Sequence, residues 1–239
     1  MDQYGPAGHM TAKLAKNVDP KIVTMMGGVY VTANPDDVIK DESLDYIVIG
    51  EGEYVLRDLI KYLQGRSEYE LDNGIAYREN GKIINKGHSS LIKDLDALPL
   101  PAYHLIDFNK YANKYSERKS IDAPEKYPYA RMVTSRGCPY LCSFCQVPSI
   151  QGRYFRHRSV ENIIAEMVWL KKEYGIQAII FDDDNLYTNM GKAKQLFAAM
   201  IENELMLPWV SIATAVFRLD EEMIDLMCKS GCKYIDIAI

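Results

Sequence analysis

The sequence predicts an α/β protein with two regions, each of which alternates short apolar strands with helices. In the first region, apolar strands at Ile22–Met26 and Tyr46–Ile49 precede an amphipathic helix that ends near Gly65. From residue 130 onward, four apolar strand segments alternate with three helical patterns across short connections. Repeated strand–helix units of this kind favour parallel strands, either in a (β/α) barrel or in an open doubly wound sheet.

The elements of the first region follow from apolar spacing and from turn residues. The helix is predicted because its apolar residues recur on one face, at Val55, Leu56, Leu59, Ile60 and Leu63. Gly27–Gly28 follows the first strand, and the turn Gly50-Glu51-Gly52-Glu53 follows the second. Glycine at such positions lets the backbone turn sharply or approach a ligand closely.

The middle of the chain predicts a hairpin and then a stiff connection. Strands at Gly74–Arg78 and Lys82–Asn85 flank Asn80–Gly81, a dipeptide that tolerates the positive φ of a two-residue hairpin turn. The segment Leu95–Ala102 contains two prolines, which interrupt both helices and central strands. We therefore expect a domain boundary near residue 100.

The second region has a regular order of elements. Its strands are predicted at Ala130–Thr134, Ala178–Phe181, Val210–Thr214 and Tyr234–Ile239, and its helices at Ser159–Tyr174, Met190–Asn203 and Asp220–Lys229. Ser159 is a predicted N-cap, with Asn162 three residues later.

Composition and charge exclude several classes of protein. The 239 residues are 48% hydrophobic and 26% charged, and the apolar runs are far shorter than a membrane-spanning helix needs. The N-terminus lacks the pattern of a secretory signal, and five cysteines are too few for a disulfide scaffold, so we expect a reducing, cytoplasmic location. The net charge of −5 argues against nucleic-acid binding, although residues 109–158 are locally basic.

Three cysteines within eight residues, Cys138, Cys142 and Cys145, predict a metal centre just after the strand at Ala130–Thr134. A structural zinc site requires four ligands, and His157 is the nearest further candidate. Three thiolates suit an iron–sulfur cluster whose remaining iron is open to an exogenous ligand. Zinc binding and structural thiols are the alternatives.

This C-x3-C-x-aromatic-C loop resembles the signature of radical S-adenosylmethionine (radical SAM) enzymes. The resemblance implies that Cys138, Cys142 and Cys145 ligate a 4Fe-4S cluster and that Phe144 lies beside the adenine of S-adenosylmethionine. It also implies that an electron from the cluster cleaves this cofactor, and that the 5′-deoxyadenosyl radical released abstracts hydrogen from a substrate.

The acidic run after the second strand of this region is a further candidate site. The run comprises Asp182, Asp183 and Asp184, at the point where the chain leaves the predicted strand. It resembles the family motif that receives the methionine ammonium of the cofactor. We expect Asp182 or Asp183 to make the contact, but the sequence leaves open which acid points inward. The alternative is a capped turn before the next helix.

The first region resembles the second half of the cobalamin-binding domain found in one radical SAM subclass. The resemblance assigns Gly27, Gly28, Gly50 and Glu51 to cobalamin contacts. The Asp-x-His-x-x-Gly motif that supplies a cobalt ligand in many such domains is absent from this sequence.

These observations predict three regions: residues 1–68 form the C-terminal half of a cobalamin-binding Rossmann-like domain, residues 69–128 a hairpin and linker, and residues 129–239 an incomplete radical SAM barrel. We expect both ends to be truncated. The predicted function is a radical SAM methyltransferase or cyclase that modifies an unactivated carbon of a small molecule and receives electrons from flavodoxin or ferredoxin. The alternatives are a non-catalytic iron–sulfur or zinc protein and an inactive fragment.

Overall fold

The computed structural model describes residues 4–66, 70–112, 126–215 and 219–237, which form two compact units. The first unit comprises Met1–Ile92 with Phe144–Gly152, and the second comprises Lys93–Ser143 with Arg153–Ile239. The predicted boundaries at residues 68 and 128 stay a prediction.

The helices and strands of the described residues are numbered in chain order. The helices are α1 (Gly5–Val18), α2 (Val29–Ala33), α3 (Pro35–Val38), α4 (Glu53–Leu63), α5 (Phe108–Ala112), α6 (Val147–Ile150), α7 (Val160–Tyr174), α8 (Met190–Glu202) and α9 (Glu221–Ser230), with a 3-10 helix at Tyr103–Leu105. The strands are β1 (Met25–Met26), β2 (Tyr46–Val48), β3 (Ile75–Glu79), β4 (Lys82–Asn85), β5 (Tyr129–Met132), β6 (Ser135–Arg136), β7 (Arg156–His157), β8 (Ala178–Phe181), β9 (Trp209–Thr214) and β10 (Cys232–Ile237). Within these ranges, no helix has both the length and the apolar character that crossing a bilayer requires.

The first unit contains a four-stranded sheet in the order β1-β2-β3-β4. Strands β1 and β2 are parallel, and the antiparallel β3–β4 hairpin extends the sheet beyond β2. Asn80 and Gly81 have φ values of 50° and 77°, which confirms the predicted turn. Strand β1 is shorter than predicted because Thr24 bonds to the loop before β2: its N–H donates to the Asp45 carboxylate at 2.7 Å.

Helix α1 packs on this unit through small residues. Its buried positions are Gly5 and Ala12, and a Cβ on Gly5 would lie 2.7 Å from the Tyr30 ring. The core beneath it comprises Ala12, Val31, Val38, Ile39, Leu44, Ile47, Ile49 and Ala76. Helix α1 is absent from the predicted elements, because two small buried residues give no apolar stripe to recognise.

The second unit contains a parallel four-stranded sheet in the order β10-β9-β8-β5. The predicted succession of parallel strands and helices is therefore confirmed. The Ser159 hydroxyl accepts a hydrogen bond from the Asn162 N–H at 3.1 Å, as expected of the N-cap of α7. Gly175 and Gly231, with φ values of 62° and 105°, end α7 and α9 in the left-handed conformation that favours glycine.

The core of the second unit is centred on Trp209, which is fully buried in β9. The indole stacks on Phe197 of α8, with ring centroids 4.8 Å apart, and meets Phe181 of β8 edge to face at 5.5 Å. Its Nε1–H donates to the Ser230 hydroxyl at 3.1 Å. The indole thereby joins the sheet to two of the helices that cover it.

We predict that Trp209→Ala lowers the free energy of unfolding by about 3–5 kcal/mol, because it leaves a large cavity among buried rings. Urea denaturation followed by far-UV circular dichroism measures the change. As a control, Val168→Ala on α7, where the residue is 46% exposed, should change the free energy of unfolding by no more than about 0.5 kcal/mol. A loss below about 1 kcal/mol in Trp209→Ala would contradict this account of the core.

Candidate functional site

The cysteine loop begins at the carboxyl end of β5, an edge strand of the second unit. The chain leaves β5 through Val133 and Thr134 and forms β6, which pairs antiparallel with β7. In this pairing Ser135 lies opposite His157, and Arg136 lies opposite Arg156. The segment that leads to Cys138 is therefore held in a short ribbon before the loop opens.

The three cysteines carry thiols suited to a metal centre. None of the five cysteines, all within the described residues, forms a disulfide, and Cys142 is exposed while Cys138 and Cys145 are partly buried. Among the described residues, no three or more His, Cys, Asp or Glu side chains converge on one metal position. The ligand set of Cys138, Cys142 and Cys145 stays a prediction, as does the adenine contact of Phe144, a residue that is 81% exposed.

The three consecutive acids after β8 have three different environments. The carboxylate of Asp182 accepts two hydrogen bonds from the guanidinium of Arg131, which is half exposed. The carboxylate of Asp183 is buried and accepts hydrogen bonds from the Thr134 N–H at 3.1 Å, from the Thr134 hydroxyl at 2.8 Å and from the Ser135 hydroxyl. The first two acids are therefore engaged by their own unit.

Asp184 differs from its two neighbours. The Gly137 N–H donates a hydrogen bond to its carboxylate, one residue before Cys138. Its Oδ2 atom is buried and has no hydrogen-bond partner among the residues that the structure describes. The sequence leaves open which acid points inward, and among the three it is Asp184 that keeps a buried oxygen without a partner in the described residues.

Burial raises the pKa of two of these acids. Desolvation raises the pKa of Asp183 to about 6, although hydrogen bonds from Ser135 and Thr134 oppose the shift. Desolvation also raises the pKa of Asp184, and the Gly137 hydrogen bond opposes it. A raised pKa means that the folded protein holds the proton of each group more tightly than the unfolded chain does.

Arg158, which follows β7, is an internal residue of the second unit. Its guanidinium lies 2.6 Å from the Glu166 carboxylate, whose side chain is only 2% exposed. It also donates to the Val133 carbonyl at 3.1 Å, and the Arg158 N–H donates to the Thr134 carbonyl at 2.9 Å. Arg158 therefore neutralises a buried acid and also fixes the exit of β5.

In the first unit, the two glycine turns follow the parallel strands β1 and β2, so they lie at the same edge of the sheet. Gly28 has a φ of 92°, and a Cβ built on it would meet nothing within 4 Å. Gly27 also tolerates a Cβ, at 3.5 Å from Val48. The end of β1 thus offers open backbone to a ligand.

The turn after β2 is packed against its own unit. A Cβ on Gly50 would lie 2.5 Å from the Ser89 hydroxyl oxygen. The Glu51 carboxylate is buried and accepts a hydrogen bond from the Ile92 N–H at 2.7 Å. Gly50 and Glu51 therefore have structural roles here, while the assignment of Gly27, Gly28, Gly50 and Glu51 to cobalamin stays a prediction.

Comparison with known proteins identifies the class. Residues 132–239 match the family model of the radical SAM superfamily. The chain is 33% identical to the cytidylyl-2-hydroxyethylphosphonate methyltransferase of Streptomyces wedmorensis, over 97% of its own length and 47% of that protein. It is 30% identical to the anaerobic magnesium-protoporphyrin IX monomethyl ester cyclase of Rubrivivax gelatinosus, over 95% of its own length and 40% of that protein.

A solved structure supports the fold of the whole chain. The cobalamin-dependent S-adenosylmethionine radical enzyme OxsB, determined with aqua-cobalamin and S-adenosylmethionine bound, superposes with a TM-score of 0.74 at 21% identity. The superposition covers 100% of this chain and 34% of OxsB. The chain belongs to the radical SAM superfamily, and it spans less than half the length of either relative named above.

We predict that Asp183 makes the stability of the fold depend on pH. Because its folded pKa of about 6 exceeds the ordinary value of 3.8, its contribution to stability is complete below pH 3.8 and is lost as the pH rises through 6. From pH 4.5 to 7 this loss amounts to about 2 kcal/mol. Asp183→Asn cannot ionise and should not suffer this loss. As the pH rises from 4.5 to 7, its free energy of unfolding in urea denaturation should therefore increase by about 2 kcal/mol relative to that of the unmodified chain. Parallel pH curves for the two proteins would contradict the prediction.

Proposed function

We propose that this chain is the cluster-bearing part of a cobalamin-dependent radical SAM enzyme that modifies an unactivated carbon of a small molecule by methyl transfer or by cyclisation. The observation that carries the proposal is the Cys138–Cys145 loop, which leaves the carboxyl end of a strand in a parallel sheet. In α/β proteins that edge is where loops from different strands assemble a site. The two relatives, one named as a methyltransferase and one as a cyclase, support the two reaction types.

The residues of the cysteine loop suit the cofactors of this chemistry. Three thiols on one loop, none of them in a disulfide, provide the soft donors that an iron–sulfur cluster prefers, so Cys138, Cys142 and Cys145 would hold it. When bound, the cluster supplies the electron that cleaves S-adenosylmethionine. The exposed ring of Phe144 provides an apolar face for the adenine.

We assign the contact with the cofactor ammonium to Asp184. The sequence favours Asp182 or Asp183 for this contact, but Arg131 and the Thr134–Ser135 segment already engage their carboxylates. Asp184 retains a buried oxygen without a partner and accepts a hydrogen bond from Gly137, beside Cys138. A carboxylate at that position orients an ammonium through a charge-assisted hydrogen bond.

The first unit would bind part of the cobalamin. Neither Gly27 nor Gly28 has a side chain, and the space beside Gly28 is open, so a ligand can approach the backbone after β1.

The substrate is a small molecule, and the electron donor is a protein such as flavodoxin or ferredoxin. The cysteine usage favours a cytoplasmic location.

We predict that anaerobic reconstitution with iron and sulfide loads about four irons per chain, as a 4Fe-4S cluster requires. Cys142→Ala should lose most of this iron, because it removes one of three thiolate ligands. Iron analysis and electron paramagnetic resonance of the reduced protein measure the result, and adding S-adenosylmethionine should change the spectrum. Cys228→Ala, which removes an exposed cysteine outside the loop, is the matched control and should load iron normally.

Two results would contradict the proposed function. One is tight, stoichiometric zinc in place of iron, which would indicate a structural metal site. The other is failure of the folded chain to hold any cluster under conditions in which circular dichroism shows native secondary structure.

We predict that Asp184→Asn raises the concentration of S-adenosylmethionine needed for half of the spectral change by about tenfold, because an amide cannot form the ionic hydrogen bond. Asp182→Asn, which alters the neighbouring acid and its ion pair with Arg131, should leave that concentration within about twofold. Equal effects of the two substitutions would remove the special role of Asp184.

A further inference from the structure

The exit of β5 is held by an unusual concentration of hydrogen bonds on one buried acid. Thr134 is fully buried, Ser135 is 3% exposed and Asp183 is 2% exposed. The Asp183 carboxylate accepts hydrogen bonds from the backbone N–H groups and from the hydroxyls of these two consecutive residues. Each donor would otherwise be a buried polar group without a partner, which is costly to the fold.

Further hydrogen bonds fix the same segment. The carbonyl oxygens of Val133 and Thr134 accept hydrogen bonds from Arg158, and Asp182 N–H donates to the Met132 carbonyl at 2.8 Å. The backbone from residue 132 to residue 135 is therefore held along its whole length. The Asp183 side chain bonds to both Thr134 and Ser135 and so links two consecutive residues of this segment.

The position of this segment connects it to the cysteine loop. Thr134 and Ser135 lie four and three residues before Cys138, and Ser135 begins the β6–β7 ribbon. A shift at Thr134 changes the direction in which the chain enters the loop. The hydrogen bonds of Asp183 to Thr134 and Ser135 act on the backbone that leads into the loop.

We propose that Asp183 is a positioning residue that fixes the path of the chain from β5 into the cysteine loop and so prepares the loop to bind its cluster. The role in cluster binding rests on the proposed function, whereas the role in fixing the loop entrance does not. Asp183 thus acts on the cluster without touching it, as outer residues of metal sites commonly orient the ligands.

The first test uses the chain without metal and measures hydrogen exchange at the Thr134 amide, which donates directly to Asp183. In Asp183→Ala this amide should exchange at least about tenfold faster than in the unmodified chain, because its acceptor is gone. Amides of α8 should be unaffected. Asp182→Asn is the matched control and should not change exchange at Thr134.

Asp183→Asn keeps one oxygen acceptor and should give an intermediate rate. It also keeps the test decisive if Asp183→Ala does not fold: faster exchange at Thr134 with unchanged exchange in α8 supports the proposal. Unchanged exchange at Thr134 in either folded variant overturns it.

The second test measures cluster binding in the same variants. Asp183→Ala should load less than half the iron of the unmodified chain, and its remaining cluster should give a broadened resonance spectrum, with partial recovery in Asp183→Asn. Normal iron content and an unchanged spectrum, together with faster Thr134 exchange, would overturn the role of Asp183 in cluster binding. If the unmodified chain itself binds no cluster, the proposed function fails, and the exchange data still decide whether Asp183 fixes the loop entrance.

Discussion

The parallel pairing of β5 with β8 is the constraint on which the candidate site depends. Met132 lies opposite Phe181 in this pairing, so both strands end at the same level of the sheet. The first residues after β5 therefore meet the first residues after β8, and Thr134 comes within hydrogen-bonding distance of Asp183. A loop with three cysteines and a run of three acids are brought together by the register of two strands.

The three acids show how one run of sequence is divided among different tasks by its surroundings. Asp182 faces a half-exposed arginine, Asp183 is enclosed by hydroxyl and amide donors, and Asp184 keeps a buried oxygen beside Gly137. Burial without a cation disfavours the charged form, which explains why the pKa of Asp183 and that of Asp184 are both raised. Ionic binding of a ligand ammonium would reverse that balance at Asp184.

In the first unit, too, the surroundings give similar residues different roles, here at two glycine turns of the backbone. The turns after β1 and β2 share an edge because these strands are parallel, and the Gly50 N–H donates to the Thr32 hydroxyl at 3.0 Å. This bond joins the second turn to α2, which follows the first turn. Gly28 in the first turn borders open space, whereas Gly50 in the second turn leaves room for the Ser89 side chain. The absence of a side chain therefore serves a different purpose at each turn.

The sequence by itself determined the parallel strand–helix order of the second unit, the Asn80–Gly81 hairpin, the Ser159 cap and the resemblance carried by the cysteine spacing, because each is written in residues close together along the chain. It did not reveal α1, whose contact face is Gly5 and Ala12, since small residues pack by shape and leave no periodic signal. Only the tertiary structure distinguished Asp184 from Asp182 and Asp183. The partners that engage the other two acids, Arg131 and Thr134, lie about fifty residues away in the sequence and meet them through strand pairing alone.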